Sequence, residues 1–398
     1  MKNLIFLIIF LIIFSSQFDR NNGNVTINLN EKRQVIDGFG ASSAWNGAVP
    51  NQTMNELFGT LGYSILRIRI DEHKRWNDEL SNAKNALKFN AKVFASPWSA
   101  PANMKENKQE DKPGSLSSNQ YSNYADYLKS FVDYFKNNGA PLYAISIINE
   151  PDYVGNPMSF TPDQMKIFLK NFASKIKSGS NVKIIAAESY GYRTEMNDAI
   201  LNDPESAAVI DIDAMHGYGF IMKPQPLVKK SGKQFWMTEH FIDGNDFNTV
   251  MKTAEDIHNC MTIAEFNAYI HWWLRGNSIT MMLLKQNWQL TPNAFVIGHF
   301  AKFIRPGYFR VNSVSSNNNL LVSAYTGNGK VVIVAINMGS SPISEQFSIN
   351  GGTLAFSFSS YITSQGKNFQ QQNNINVTEE GSFTYSFPSQ SVTTLVSV

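Results

Sequence analysis

The stretch AISIINEPDY, Ala144 to Tyr153, begins as a run of strand-forming residues and ends abruptly in Asn-Glu-Pro. A buried strand gains nothing from a carboxylate at its tip, because a charge taken out of water needs a partner. Glu150 therefore raises the question of a second acid. Seven other runs have the same form: VIDGFG (35–40), ILRIRID (65–71), KVFASPW (92–98), VKIIAAESY (182–190), IDAMHGY (212–218), QFWMTEH (234–240) and AYIHWW (268–273). Each is short, apolar and β-branched, with a polar or aromatic end. Helical patterns separate them, such as SNYADYLKSFVDYFKNNG and TPDQMKIFLKNFASKIKSG. In the second, Thr161 is the expected N-cap, Pro162 takes the first helical position and Gly179 lies beyond the end. With YAISIINEP (143–151) included, eight strand–helix units over roughly 260 residues predict an α/β fold, a (β/α)8 TIM barrel over residues 35–303. A doubly wound open sheet would carry a Gly-rich phosphate loop after its first strand, and none is present.

After residue 304 the texture changes. LLVSAYTG, KVVIVAINM, TLAFSFSSYI and SFTYSFPSQSVTTLVSV alternate in twos, with GNG, NGG and SQG turns between such runs. That predicts a fused side β-sandwich over 304–398. The early run NVTINL (24–29) is expected to join it as an extra strand, so that 22–34 belongs to the same domain. QQQNN (370–374) reads as a polar loop.

The formal net charge of +2 over 398 residues, with no basic run, argues against a nucleic-acid partner. The 13% aromatic content, with seven Trp and fifteen Tyr, suits a large core and equally a site that stacks flat rings. Lys2 precedes eleven apolar residues, Leu4–Phe14, too short a run to span a bilayer comfortably. Residues 1–17 are therefore expected to be a secretory signal peptide, cleaved near Ser16–Phe18, rather than an uncleaved anchor. The mature protein is expected to be secreted, with no membrane contact, and monomeric. Cys260 is the single cysteine and forms no internal disulfide. Glycosylation sequons begin at Asn24, Asn51 and Asn376.

In a TIM barrel the C-terminal strand ends form the rim of the active site. Here that rim carries Asp71, Trp98, Asn149, Glu150, Glu188, His216, Tyr218, Glu239, His240, Trp272 and Trp273. Glu150 on the fourth strand and Glu239 on the seventh lie three strands apart and face each other across the mouth. Two carboxylates so placed flank a substrate bond, one to give a proton and one to attack or to activate water, as glycoside hydrolysis needs. Glu188, beside the fourth strand, reads as a supporting or substrate-contacting group. Arg69 is expected to point into the mouth and hold Glu239 ionised. Glu150 is expected in an apolar, Trp-lined niche that raises its pKa. His216 and Tyr218 share one face. Trp98 and exposed Trp76 are candidate sugar platforms. Trp272 and Trp273, on a regular strand, point opposite ways. No metal-ligand spacing, cofactor motif or Gly-x-Ser-x-Gly is present.

DGFGASSAW (37–45), LRIRID (66–71), FASPWSAPANMK (94–105), SIINEPDY (146–153), WMTEH (236–240), YIHWW (269–273) and IRPGYFRV (304–311) together resemble glycoside hydrolase family 30, in its bacterial xylanase branch. The likeness runs from about Val35 to the C-terminus. It implies a retaining endo-hydrolase of β-1,4-xylan that needs no cofactor. It also implies Glu150 as acid/base, Glu239 as nucleophile and Asn149 on the sugar 2-hydroxyl. Glucuronoxylanase members of this branch pair two arginines after the strand-eight tryptophans and place tyrosines after the nucleophile. Here HWWLRGNSI keeps Arg275 but follows it with Gly276, and TEHFIDGND has His-Phe-Ile. An arginine is the natural bidentate partner of a uronate carboxylate. A xylanase not strictly dependent on glucuronate is the expectation, with a glucuronoxylanase as the alternative. A glucosylceramide-like β-glycosidase and an inactive polysaccharide-binding protein are the remaining readings. A retaining enzyme also predicts carboxyl groups about 5–5.5 Å apart.

Overall fold

The computed structural model describes residues 25–219, 221–244, 246–276, 283–352 and 357–398. The expected signal peptide lies outside them. A first strand, β1 (Val25–Val35), precedes eight that close into a barrel: β2 (Gly38–Ser42), β3 (Ile65–Ile70), β4 (Lys92–Pro97), β5 (Ala144–Ser146), β6 (Lys183–Ser189), β7 (Ile212–His216), β8 (Gln234–His240) and β9 (Ala268–His271). Neighbours are parallel throughout and β2 pairs with β9 to close the ring. Alternation sorts the side chains as a parallel barrel requires. Ile65, Phe94, Ala144, Ile185, Ile212, Trp236 and Ala268 fill the inside. Leu66, Val93, Ile145, Ile184, Phe235 and Tyr269 face the helices. Gly40 serves the tight approach of β2 to β3, since a Cβ there would lie 1.8 Å from the Ile65 carbonyl oxygen.

The fourth barrel strand is shorter than the run 143–151 predicts. Its ladder ends at Ser146, yet the chain stays threaded between its neighbours. The Asn149 N–H donates to Pro97 O (2.9 Å) and the Glu150 N–H to Glu188 O (3.0 Å). The helix Pro162–Lys177 has the predicted start, with a Thr161–Gln164 capping box.

Beyond the barrel come β10 (Phe309–Ser315), β11 (Leu320–Gly327), β12 (Lys330–Asn337), β13 (Ile343–Asn350), β14 (Ser357–Ser364), β15 (Lys367–Asn376), β16 (Ser382–Phe387) and β17 (Ser391–Ser397). With β1 they form one nine-stranded, mostly antiparallel sheet in the order β15-β14-β17-β12-β11-β10-β1-β13-β16. Its two ends fold over one another, and Phe358 of β14 meets Phe383 of β16 at 5.4 Å. QQQNN is not a loop. It lies in edge strand β15, where Gln370, Gln371 and Gln372 pair with Ile362, Tyr361 and Ser360. This edge strand pairs on one side only, and its glutamines and asparagines lie largely in water, so their composition hides the strand.

The helix Pro292–Ala301 joins the two domains. Its His299 is fully buried, with Nδ1 on Thr394 Oγ1 (2.8 Å) and Nε2 on Thr363 Oγ1 (2.9 Å). Thr394 Oγ1 donates to His299 O (2.9 Å), so it accepts from Nδ1–H and the ring sits neutral. Burial pulls its pKa from 6.5 to about 3. Between those values the unfolded chain binds a proton that the folded chain does not, so stability falls as pH is lowered through that window. Thermal melts should show a smaller loss of Tm between neutral pH and the acid end in His299→Gln than in the wild type. Equal slopes would remove His299 from the acid sensitivity of the fold.

Candidate active site

Inward positions on β3 are Ile65, Arg67 and Arg69. Arg67 is fully buried, and its guanidinium gathers the mouth around it. Nη1 binds Glu239 Oε2, Nη2 binds Asn149 Oδ1 (2.6 Å) and Glu188 Oε1 (3.1 Å), and Nε binds Ser96 Oγ (3.2 Å). The cation beside Glu239 is therefore Arg67, not Arg69. Arg69 shares its face but stands two residues higher, at the rim. There Asp71 (2.9 Å) and Glu72 intercept it, and it lies over the Trp45 ring at 4.7 Å.

All three mouth glutamates sit where strand alternation fails. On β8 the inward parity belongs to Trp236, so odd-numbered Glu239 should face the helices. Register shifts against β7 and β9 turn it into the mouth. On β6, Ile185 sets inward parity, and a shift between Ala187 and Ser189 brings Glu188 inward. Glu150 follows a strand that has already ended. Glu150 (φ 44°) and Glu188 (φ 51°) both occupy the left-handed region, where non-glycine residues are strained and cluster at functional sites.

His216 keeps its strand's inward parity and places Nδ1 2.8 Å from Glu150 Oε1. The Tyr218 hydroxyl donates to Glu239 Oε1 at 2.8 Å. One oxygen each of Glu150 and Glu239 and one His216 nitrogen lie within 4.8 Å of one another. The two carboxylates therefore approach each other closely across the mouth. Burial and Glu239 push the Glu150 pKa up, against the opposing pull of His216 and Arg67. Burial also opposes ionisation of Glu188, but Arg67 and His216 outweigh it and take its pKa to about 2. Among the described residues, Glu150, His216 and Glu239 are the one grouping compact enough to ligate a metal ion. Arg67 sets a fixed positive charge beside that space, which disfavours a dication.

The aromatic rim differs from the expected one. Glu150 meets His216, while the tryptophans gather over Arg67, with Trp98 at 4.7 Å and Trp272 at 5.8 Å. Trp272 and Trp273 do not diverge. Their rings stack at 5.2 Å and 15°, because β9 ends at His271 and its alternation does not reach them. Trp76 is buried against Phe131 at 4.9 Å and donates Nε1–H to Asp71 O (2.9 Å), so it packs a helix start and offers no platform. Trp45 was missed. It is 49% exposed and meets Trp98 at 4.7 Å and Trp272 at 6.0 Å. Across the mouth Tyr153, Tyr190 and Tyr218 stack in series, 4.4 and 5.7 Å apart. The Asp-Tyr and Ser-Tyr endings of their runs were the available signal. Rim residue His240 turns away to Asp256 (2.7 Å). Arg275 lies over the Trp288 ring at 3.8 Å and donates to Gln286 O (3.2 Å).

Removing one partner of a buried ion pair strands the others. Arg67→Met should therefore cost about 3–5 kcal/mol, read as a lower denaturant midpoint. A loss below about 1 kcal/mol would show that the carboxylates find compensation elsewhere.

The Glycosyl hydrolase family 30 TIM-barrel domain model matches residues 63–235. Glucuronoxylanase XynC of Bacillus subtilis is 39% identical over 394 residues, covering 94% of this chain and 91% of that protein. The subfamily 8 xylanase Xyn30A from Clostridium acetobutylicum superposes with a TM-score of 0.89 at 43% identity, over 94% of this chain and 98% of that one. A family 30 endoxylanase from Clostridium papyrosolvens C71 gives 0.87 at 41%, over 94% and 99%. On these relationships, and with its closed barrel and side sheet, the chain belongs to glycoside hydrolase family 30.

Proposed function

We propose that the protein is a secreted, retaining endo-β-1,4-xylanase that does not strictly require a glucuronate branch. The observation that carries the reading is the close Glu150–Glu239 pair, whose two members have different neighbours. Glu239, bound by Arg67 and Tyr218, is the nucleophile. Glu150, with its raised pKa, is the acid. It protonates the glycosidic oxygen while Glu239 attacks the anomeric carbon, giving a glycosyl-enzyme. Glu150, now a carboxylate, takes a proton from water as that water displaces Glu239, and the anomeric configuration is retained. Asn149 has its Oδ1 held by Arg67, and its Nδ2 remains a donor for the sugar 2-hydroxyl. Trp45, exposed, and Trp272 and Trp273, partly exposed, offer ring faces to the chain.

Xylan as substrate is supported by the named activities of the relatives. Independence from glucuronate is supported by Arg275, whose guanidinium is committed to Trp288 and Gln286. The second reading, a glucuronoxylanase, is favoured by the likeness to XynC. Secretion is supported by the apolar leader at Leu4–Phe14.

Digests of glucuronoxylan and arabinoxylan should release oligosaccharides at comparable rates. A strong bias toward glucuronoxylan transfers the assignment to the second reading, and no release from either refutes both. Proton NMR of early product should show the β-anomer first, and Glu239→Gln should lose at least ~10³-fold in kcat. The acid must be protonated to act, so kcat/KM should fall as pH rises through the raised Glu150 pKa. In Glu150→Gln that alkaline limb should vanish along with most of the activity.

A further inference from the structure

The double displacement uses two glutamates, and the cluster around Arg67 and His216 holds three. Glu188 is fully buried. Its Oε1 lies 3.1 Å from Arg67 Nη2 and 3.8 Å from His216 Nε2. That nitrogen has no hydrogen-bond partner, and neither has Glu188 Oε2. The His216 ring thus stands between two carboxylates, Glu150 at 2.8 Å on one nitrogen and Glu188 on the other.

We infer that Glu188 is a positioning residue, the fixed negative charge that keeps His216 an imidazolium and thereby sets the protonation of Glu150; this deepens the hydrolase reading above and rests on it. Counting charges shows why a third carboxylate is required. Arg67 and an imidazolium at position 216 bring two positive charges. Glu188 and Glu239 bring two negative ones, so the cluster is neutral when Glu150 holds its proton. Without Glu188 the same state carries a net positive charge in a buried site, and Glu150 gives up its proton more readily. The imidazolium also has a geometric task. With Nδ1–H donating to Oε1, the carboxyl proton of Glu150 is confined to Oε2, on the oxygen left free for the glycosidic bond.

Three other titratable groups face the cluster. Tyr190, following β6, and Tyr218, following β7, are both pushed up by burial and by neighbouring carboxylates, so they stay neutral. Asp152, in the loop after Glu150, accepts the Tyr190 N–H at 2.8 Å and is pushed up by burial against His216 and Arg193. Burial pulls His216 down, but Glu239, Glu150 and Glu188 outweigh it and raise its pKa to about 9.

The test is NMR titration of His216 in protein labelled at the histidine ring nitrogens, which needs no turnover and so stands if the xylanase reading fails. In the wild type His216 should be an imidazolium near neutral pH, and a neutral ring overturns the proposal. In Glu188→Gln its midpoint should fall by about one pH unit or more. The alkaline limb of kcat/KM on xylan should move to lower pH with it. Lower kcat with both midpoints unmoved would mean that Glu188 is only structural, and would overturn the inference. If Glu188→Gln does not fold, the same titration in Glu188→Asp decides. A shift in the same direction supports the proposal, and an unmoved midpoint overturns it.

Discussion

One buried guanidinium organises this protein's mouth. Arg67 bonds to partners from four places in the barrel: Ser96 on β4, Asn149 beyond β5, Glu188 on β6 and Glu239 on β8. A cation with no exposure to water survives only if its donors are filled and its charge is met. Both conditions are satisfied here by groups that serve the site. The constraint also works in reverse. Glu239 and Glu188 are buried among apolar strands and meet their countercharge in Arg67. Trp98, seated on the guanidinium face, closes the remaining side.

The backbone pays for this convergence with irregularity. A regular barrel would point Glu188 and Glu239 at the helices, and β5 would carry Glu150 straight through. Register shifts on β6 and β8, left-handed backbone at Glu150 and Glu188, and the early end of β5 turn all three toward one point. Such departures are tolerated because the layers below are conventional: the buried side chains of Ile65, Phe94, Ile185, Ile212 and Trp236 pack the lower barrel, with the indole N–H their one polar group. That N–H donates to Asp37 Oδ2 at 2.9 Å. Rigidity below lets the rim be irregular above.

Sequence reading recovered what depends on period and order. Eight apolar runs became eight strands, and the late alternating runs became the side sheet. Glu150 and Glu239 are expected at the rim because rim position follows from strand ends, and the structure brings them together there. The errors came from interactions that no period encodes. Choosing Arg69 over Arg67 treated proximity to the rim as proximity to the carboxylates, but an arginine reaches several ångströms beyond its own Cα, so the deeper residue arrives. Trp76 looked exposed because it follows a strand, whereas Phe131 and Tyr127 of a distant helix cover it. Trp272 and Trp273 were assigned strand parity one residue after the strand had ended. QQQNN was read as a loop because an edge strand needs no buried face.

The aromatic side chains divide the mouth into two arcs. Trp45, Trp98, Trp272 and Trp273 follow the first, third and eighth barrel strands, while Tyr153, Tyr190 and Tyr218 follow the fourth, fifth and sixth. Glu150, after the fourth strand, and Glu239, on the seventh, stand at the two seams between these arcs. The division also fits the chemistry of each side. Indoles offer broad apolar faces at low entropic cost, suited to sugar rings that repeat along a chain. Tyrosine adds a hydroxyl, and here one of these, on Tyr218, is bound to Glu239. Tyr218 thus holds Glu239 from the tyrosine side while Arg67, lying against the Trp98 indole, holds it from the tryptophan side, and the two arcs meet at that carboxylate.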